Sequence, residues 1–156
     1  RFDVGGRVVG PALRAHGVRR LDYLVVTHAD ADHIGGAATV VEEFAPREVW
    51  TGVPVADDAA TAALRTAAVA AGAAWRVVQR GDRVDFGAAE VAVLHPPPPD
   101  WERQRVRNDD SVVLAVTLGA VRLLLTGDIG AAVEGEVAAA LAREAGGAPA
   151  GLTVLK

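Results

Sequence analysis

Several residue types are scarce or missing in this chain, and each absence excludes a class of chemistry. No cysteine occurs among the 156 residues, which excludes disulfides, thiolate metal ligands and a cysteine nucleophile together. Hydrophobic residues make up 51% of the chain, yet no apolar run approaches the length of a membrane-spanning helix. Acidic residues outnumber basic ones by 20 to 16, so no global positive field indicates a nucleic-acid-binding protein. The length is that of one globular domain with a substantial core.

The most informative stretch is a loop at residues 27–36, which reads Thr-His-Ala-Asp-Ala-Asp-His-Ile-Gly-Gly and directly follows an apolar run. It contains imidazole and carboxylate groups, which bind divalent metals without help from other side chains. Without a cation, the neighbouring carboxylates would repel each other and tend to take up protons. An acidic, solvated loop is the alternative interpretation. The residue types, their spacing and the Gly-Gly exit favour a metal site, with these candidate ligands: His28, Asp30, Asp32 and His33.

Two further segments carry polar groups at the ends of predicted strands. An apolar run at residues 123–125 continues into Thr-Gly-Asp, so Asp128 stands at the mouth of a buried strand. Alone, such a tripeptide is often an ordinary turn. Asn108 begins the segment Asn-Asp-Asp-Ser, which leads into the strand predicted to form a hairpin with the Asp128 strand. Hairpin geometry would place Asn108 and Asp128 near the same sheet edge, although an Asx-type turn would also explain Asn108.

A basic loop precedes Asn108 and suggests a partner. Residues 101–107 read Trp-Glu-Arg-Gln-Arg-Val-Arg. The guanidinium groups of Arg103, Arg105 and Arg107 could contact phosphates, and Trp101 could stack on an unpaired base. The alternative is an exposed loop with solvated arginines. The other two histidines, His16 and His95, are predicted not to be metal ligands, because the first resembles a cation at a helix end and the second precedes a proline run.

Strand and helix patterns alternate along the chain, which predicts one domain over residues 1–156 of the α/β class with mixed sheets covered by helices. Four prolines at residues 96–99 predict a stiff, extended connector. Helices are predicted over residues 8–16, 36–44, 57–71 and 131–144, with Asp57 or Asp58 as the N-cap of the third. Strands are predicted over residues 22–27, 48–51, 75–78, 83–86, 90–94, 111–118 and 121–125.

Together these motifs resemble the metallo-β-lactamase superfamily, in which a His-x-His-x-Asp-His loop and a later strand-end Asp hold one or two metals. The combination of His-x-Asp-x-Asp-His-x-Gly-Gly, Asn-x-x-Ser and Leu-Leu-Thr-Gly-Asp-Ile is narrower. It resembles the C-terminal metallo-β-lactamase-like domain of the ComEC family of DNA-internalisation competence channels. The resemblance covers about residues 7–156 and implies an αββα sandwich. We expect a fragment truncated at both ends, because the family's leading strands and its later histidine segment have no counterpart within residues 1–156.

The resemblance also implies ligands and roles. We expect one or two divalent ions, manganese or zinc, and Asp30 in place of the usual histidine hardens the site toward manganese. Asp32 and Asp128 are the expected catalytic residues, and Ser111 is expected to join the loop arginines in binding substrate. The full predicted ligand set is His28, Asp30, Asp32, His33, Asp128 and Asn108.

The preferred hypothesis for function is a metal-dependent nuclease that degrades single-stranded or double-stranded DNA during natural transformation. The domain would then be a soluble part of a cell-membrane protein on the extracytoplasmic side, working beside the transmembrane channel portion of the same protein. One alternative is a superfamily phosphodiesterase acting on small or lipid-linked substrates. Another is a non-catalytic domain that guides DNA within the uptake channel.

Overall fold

The computed structural model describes residues 2–98, 103–144 and 151–155, whose backbone forms two β-sheets with helices against their outer faces. The helices are α1 (Gly10–Ala15), α2 (Ala31–Ile34), α3 (Ala37–Phe44), α4 (Ala59–Ala70) and α5 (Ala131–Glu144). The strands are β1 (Tyr23–Val26), β2 (Glu48–Thr51), β3 (Ala74–Val77), β4 (Arg83–Phe86), β5 (Ala89–His95), β6 (Val113–Leu118), β7 (Val121–Leu125) and β8 (Gly151–Leu155). A π-helical turn at Gly5–Val9 precedes α1, and a 3-10 turn at Asn108–Asp110 precedes β6.

The two sheets differ in strand direction. The first sheet has the order β1-β2-β3 and is parallel throughout, with Val26 opposite Thr51 at its C-terminal edge. The second has the order β4-β5-β6-β7-β8 and is antiparallel up to the last pair, where β7 and β8 run parallel. Parallel neighbours need a crossover, and helices α3, α4 and α5 occur in the three crossovers. The prediction of mixed sheets is therefore confirmed.

Alternation of side chains along the strands builds the layers, because successive residues of a strand face opposite sides of the sheet. On β2, Val49 packs in the cluster that contains residues of α3 and α4, whereas the next residue, Trp50, packs between the two sheets. On β6, Val113 packs in the cluster that contains α5 residues and Leu114 faces inward. The order helix, sheet, sheet, helix is the αββα sandwich expected from the resemblance. Each fully buried Val or Leu stabilises it by about 1.5–3 kcal/mol.

Helix ends follow the local sequence signals. The Asp58 carboxylate accepts a 2.7 Å hydrogen bond from Thr61 N, which confirms the predicted N-cap of α4. Gly72 follows α4 with a φ of 70°, a conformation that glycine adopts without strain. The first helix was predicted over residues 8–16, but helical backbone begins earlier, in the π-helical turn from Gly5. The single turn of α2 was not predicted, because four residues are too few to show a helical period.

Close backbone packing positions the loop after β1. A Cβ atom on Gly36 would lie 2.4 Å from Gly5 N, and one on Gly5 would lie 2.1 Å from Gly36 O. Only glycine permits so close an approach of two backbones. The Gly-Gly exit of the motif therefore holds the loop against the N-terminal turn. Among the described residues, no helix combines the length and apolar character needed to cross a bilayer.

Candidate metal centre

Three chain segments meet at one end of the sandwich: the end of β1, the residue pair before β6 and the end of β7. Val112 N donates a 2.8 Å hydrogen bond to Thr27 O, which ties the first segment to the second. A Cβ atom on Gly127 would lie 3.0 Å from Ser111 Cβ and 3.1 Å from Thr27 Cβ. Gly127 also has a φ of 58°, so both the limited space and the left-handed backbone conformation favour glycine at this position. The predicted convergence of strand ends is present.

Two imidazoles and a carboxylate form the centre of the site, and we call His28, His33 and Asp128 the His–Asp cluster. One donor atom from each of the three lies within 4.8 Å of the others. His33 Nε2 is 3.4 Å from Asp128 Oδ2, and the two imidazole ring centroids are 4.2 Å apart. His28 and His33 come from the segment after β1, His33 within α2, whereas Asp128 follows β7, so the cluster joins two parts of the chain that are far apart in sequence. Their convergence is what the strand-end positions predicted.

The two remaining acidic residues of the motif lie at the margin of this cluster. Asp30 Oδ2 is 3.3 Å from His28 Nε2, and the Asp30 side chain is 45% exposed. Asp32 lies in α2, with Oδ2 3.7 Å from His33 Nε2 and its side chain 81% exposed. Asp30 thus contacts the His–Asp cluster, whereas Asp32 stands at its outer, solvated edge.

Asn108 and Ser111 are placed differently from each other. Asn108 is exposed in the 3-10 turn, and its main-chain carbonyl accepts hydrogen bonds from both Ser111 N and Ser111 Oγ. Ser111 is completely buried, and its hydroxyl oxygen is 3.2 Å from His28 Nδ1. The expectation of direct substrate contact does not fit this burial. Ser111 lies behind His28, on the side opposite the cluster's carboxylates.

Hydrogen bonds behind His28 determine its tautomer. The Ser111 hydroxyl donates its single proton to the Asn108 carbonyl at 2.6 Å, so toward His28 it acts as an acceptor. On this ground we assign the ring proton of His28 to Nδ1, which donates to the Ser111 hydroxyl. Nε2 is left with a bare lone pair, and this buried atom has no hydrogen-bond partner. An unpaired buried polar atom is costly, and its orientation toward carboxylates fits a role as a metal ligand.

Burial also keeps His28 neutral. Desolvation lowers the pKa of His28 below its usual 6.5, and the neighbouring His33 lowers it further, while Asp30 and Asp128 oppose the shift. An imidazole binds a metal through an unprotonated nitrogen. The neutral His28 ring with its lone pair on Nε2 is therefore in the form a metal requires.

The distances fit a divalent cation. Two donors that share an ion at about 2.0–2.2 Å can be at most about 4.4 Å apart. The pair His28 Nε2 and Asp30 Oδ2, at 3.3 Å, and the pair His33 Nε2 and Asp128 Oδ2, at 3.4 Å, meet that limit. Mixed nitrogen and carboxylate donors suit zinc and manganese alike. The residues present therefore fit the metal that the sequence predicted.

Thr27 is a site residue that the sequence reasoning missed. Its hydroxyl oxygen lies 3.1 Å from His28 Nδ1 and 3.3 Å from His33 Nδ1. The hydroxyl oxygen can accept a hydrogen bond from an Nδ1–H of either ring, which would leave the Nε2 atom of that ring free to bind metal. The signal was a hydroxyl residue next to the first histidine, at the last position before the loop.

The three loop arginines lie in different environments. Arg103 makes a two-pronged salt bridge with Asp110, at 2.7 and 2.9 Å. Arg107 is half exposed, with Nε 4.0 Å from Asp110 Oδ2, and Arg105 is exposed. Trp101 lies outside the described residues. The sequence did not indicate Asp110 as the partner that holds Arg103.

The other two histidines stand apart from the cluster. His16 is exposed at the C-terminal end of α1. His95 is buried at the end of β5 and donates from Nδ1 to the Ser111 carbonyl at 3.0 Å. Among the described residues, neither takes part in the group of potential metal ligands.

The comparison with known proteins agrees with the family resemblance that the motifs indicated. A family model described as "Metallo-beta-lactamase superfamily" matches residues 2–154. The chain is 32% identical over 136 residues to ComE operon protein 3 of Bacillus subtilis. That alignment covers 87% of this chain and 17% of the relative, so the chain spans about a sixth of the curated relative's length. The match confirms the resemblance to ComEC-type proteins.

Solved structures with similar backbones include CmlA, a diiron beta-hydroxylase from Streptomyces venezuelae. This chain is 19% identical to it with a TM-score of 0.43, and the alignment covers 69% of this chain and 20% of CmlA. For the CmlA E377D mutant, the identity is 20% and the TM-score 0.41, over 68% of this chain and 20% of that chain.

Proposed function

The chain belongs to the metallo-beta-lactamase superfamily, and from that membership and the His–Asp cluster we propose that it is a metal-dependent nuclease domain that cleaves DNA phosphodiester bonds during DNA uptake. The observation that carries the proposal is the buried, unpaired Nε2 of His28, which faces the Asp30 carboxylate at 3.3 Å. A neutral, desolvated imidazole that faces carboxylates is suited to bind a metal ion.

We assign the metal to the two imidazoles and the carboxylates beside them. His28 and Asp30 would hold one ion. His33 and Asp128 would either hold a second ion or share the first. Asn108, exposed on the neighbouring turn, remains a candidate ligand or hydrogen-bond donor. When bound, a divalent cation there supplies an activated water and offsets charge on a phosphoryl oxygen. Manganese is the ion we expect to serve best, because three carboxylates surround two nitrogen ligands.

Asp32 is the residue we propose as proton acceptor. Its carboxylate lies 3.7 Å from His33 Nε2 and is largely open to solvent. A carboxylate at the mouth of the site can orient the attacking water and take up its proton. Asp128 is the second catalytic candidate, since its 3.4 Å contact with His33 holds it at the centre of the cluster.

DNA is the proposed substrate for two reasons. The motifs resemble those of ComEC-type competence proteins, and the curated relative is a ComE operon protein. The half-exposed Arg107 and exposed Arg105 offer guanidinium groups, which suit phosphate. The transmembrane channel portion of the same protein is a proposed partner, and the extracytoplasmic side of the membrane is the proposed location.

Cleavage of DNA by matched carboxylate variants tests the proposal. The parent chain, Asp32→Asn and Asp128→Asn are incubated with DNA and manganese, and then with zinc. Asp85→Asn, which changes an exposed carboxylate on β4, is the control. We expect the parent and the control to cut DNA, and each site variant to lose at least about 100-fold in rate. Metal-independent cutting, or equal rates in all four proteins, would refute the proposal. Turnover of small phosphodiesters without cleavage of DNA would assign the site to another substrate.

A further inference from the structure

A cavity of about 250 Å³ opens beside His28, and we call it the side cavity. It extends from Thr27 and His28, at the end of β1, to Trp75 on β3 and Arg65 on α4. Arg107 lines it from the basic loop. The cavity therefore has His28, one member of the His–Asp cluster, at one end, and an aromatic ring and two of the chain's arginines along its walls.

Backbone pairing at Arg103 holds the described part of the basic loop, residues 103–107, in place as a wall of the side cavity. Arg103 N donates to Pro54 O at 2.9 Å, and Ala56 N donates to Arg103 O at 3.0 Å. These bonds attach the loop to the connection between β2 and α4, as an isolated parallel bridge. The salt bridge from Arg103 to Asp110 fixes the loop's other side. The wall that presents Arg107 is thus built from paired backbone rather than from a free surface loop.

Trp75 gives the side cavity an aromatic surface. The residue is half-buried, packs against the hydrophobic cluster of the first sheet and lines the cavity. The Arg65 guanidinium carbon lies 5.6 Å from the Trp75 ring centroid, in a cation–π contact. A tryptophan ring with a guanidinium over it offers a stacked surface, the ring edge together with the guanidinium plane, against which a nucleobase of any sequence can stack.

The charge around the side cavity is positive. Arg103 and Asp110 neutralise each other through their two hydrogen bonds. Arg107 is 4.0 Å from a carboxylate that Arg103 already occupies. Arg65 has no carboxylate partner among the described residues. Two guanidinium charges are therefore available to an anionic ligand, and phosphate is the anion that guanidinium groups match best.

We propose that the side cavity holds one unpaired nucleotide of a DNA strand while an adjoining phosphate lies at the His–Asp cluster, so that single-stranded DNA is the preferred substrate. This inference rests on the proposed function. The volume is just below the usual range of small-ligand pockets, about 300–1,000 Å³, so it suits a single nucleotide unit. A base within a duplex must first leave its stack and its partner to enter such a pocket, whereas a single strand avoids that cost.

The strand preference of matched variants tests the inference. One oligonucleotide is offered as a single strand and as a blunt duplex, with manganese in excess. We expect the parent to have the higher kcat/KM on the single strand. Trp75→Leu and Arg65→Gln should each lower kcat/KM on the single strand by about tenfold, and lower that on the duplex much less. Arg47→Gln is the control, because Arg47 is an exposed arginine near the opposite end of β2.

A binding measurement without metal provides a readout independent of catalysis. Addition of single-stranded oligothymidylate should quench tryptophan fluorescence equally in the parent and in Arg47→Gln, and the extent of quenching should fall in Trp75→Leu, which retains Trp50 and Trp101. Arg65→Gln, which leaves the core intact, should weaken the same titration. Equal strand preference and unchanged quenching in the Trp75 and Arg65 variants would overturn the inference while leaving the nuclease proposal standing. Failure of the parent to cut either form of DNA would overturn both.

Discussion

At the scale of single residues, the state of His28 depends on two hydroxyls and a carbonyl behind it. The Ser111 hydroxyl donates its hydrogen bond to the Asn108 carbonyl, and the Thr27 hydroxyl lies between the Nδ1 atoms of His28 and His33. These groups keep the ring proton on the far side of His28 and leave Nε2 free. Such supporting partners set the orientation and basicity of metal-binding histidines.

Removal of either hydroxyl should therefore weaken metal binding without removing a ligand. Thr27→Val and Ser111→Ala are each expected to lower affinity for manganese or zinc by about 10- to 100-fold, because His28 loses an acceptor that fixes its tautomer. Calorimetric titration of metal-stripped protein measures the change. Thr117→Val, at the far end of β6, is the matched control and should bind as the parent does. Affinities equal to the parent in both site variants would refute the supporting role.

Some site residues could be predicted because their signal lies within one segment of the sequence, and others could not. The motif loop and the strand-end Asp128 were visible in the sequence, because each group of candidate ligands follows an apolar strand. Thr27 and Asp110 were not recognised, because their roles arise from contacts between segments: Thr27 with two rings, and Asp110 with Arg103. Ser111 was noticed, but its burial could not be read from a motif at the start of a strand.

At the scale of elements, the end of α3 contains a residue whose backbone conformation is unfavourable. Ala45 has a φ of 40° and a ψ of 63°, the left-handed conformation, and its N–H closes the helix by donating to Val41 O at 2.9 Å. Pro46 then prevents continuation. In residues with a Cβ atom, this conformation costs about 1–2 kcal/mol. The sequence signalled the stop through Pro46 but not the left-handed residue before it.

Replacing that residue with glycine should stabilise the fold. Ala45→Gly relieves the left-handed conformation but increases the flexibility of the unfolded chain, so we expect a net gain of about 0.5–1 kcal/mol in the free energy of unfolding. Ala63→Gly, in the exposed middle of α4, should instead lose about 0.5–1 kcal/mol. Urea denaturation measures both. A loss of stability in Ala45→Gly would contradict the structural assignment.

At the scale of the whole molecule, the sandwich brings together ends of strands from different sheets. The first sheet supplies the motif loop after β1, and the second supplies Ser111 before β6 and Asp128 after β7. The alternation of strand and helix signals along the chain predicted mixed sheets covered by helices, and hence the class of fold. It could not predict which sheet each strand joins, because the same alternation satisfies many strand orders. The resemblance to the superfamily implied the layers that periodicity alone left open.

The most direct test of the account is a measurement of bound metal in near-isosteric variants. His33→Gln combined with Asp128→Asn keeps the size of both side chains but removes an imidazole and a carboxylate from the cluster. The metal-stripped parent, this double variant and Asp85→Asn are each titrated with manganese and with zinc, and bound metal is measured by elemental analysis after dialysis. We expect at least one tightly bound ion in the parent and in Asp85→Asn, and a large loss of bound metal in the double variant, whose circular dichroism should show that the fold is retained. Equal metal content in all three proteins would contradict the assignment of the site.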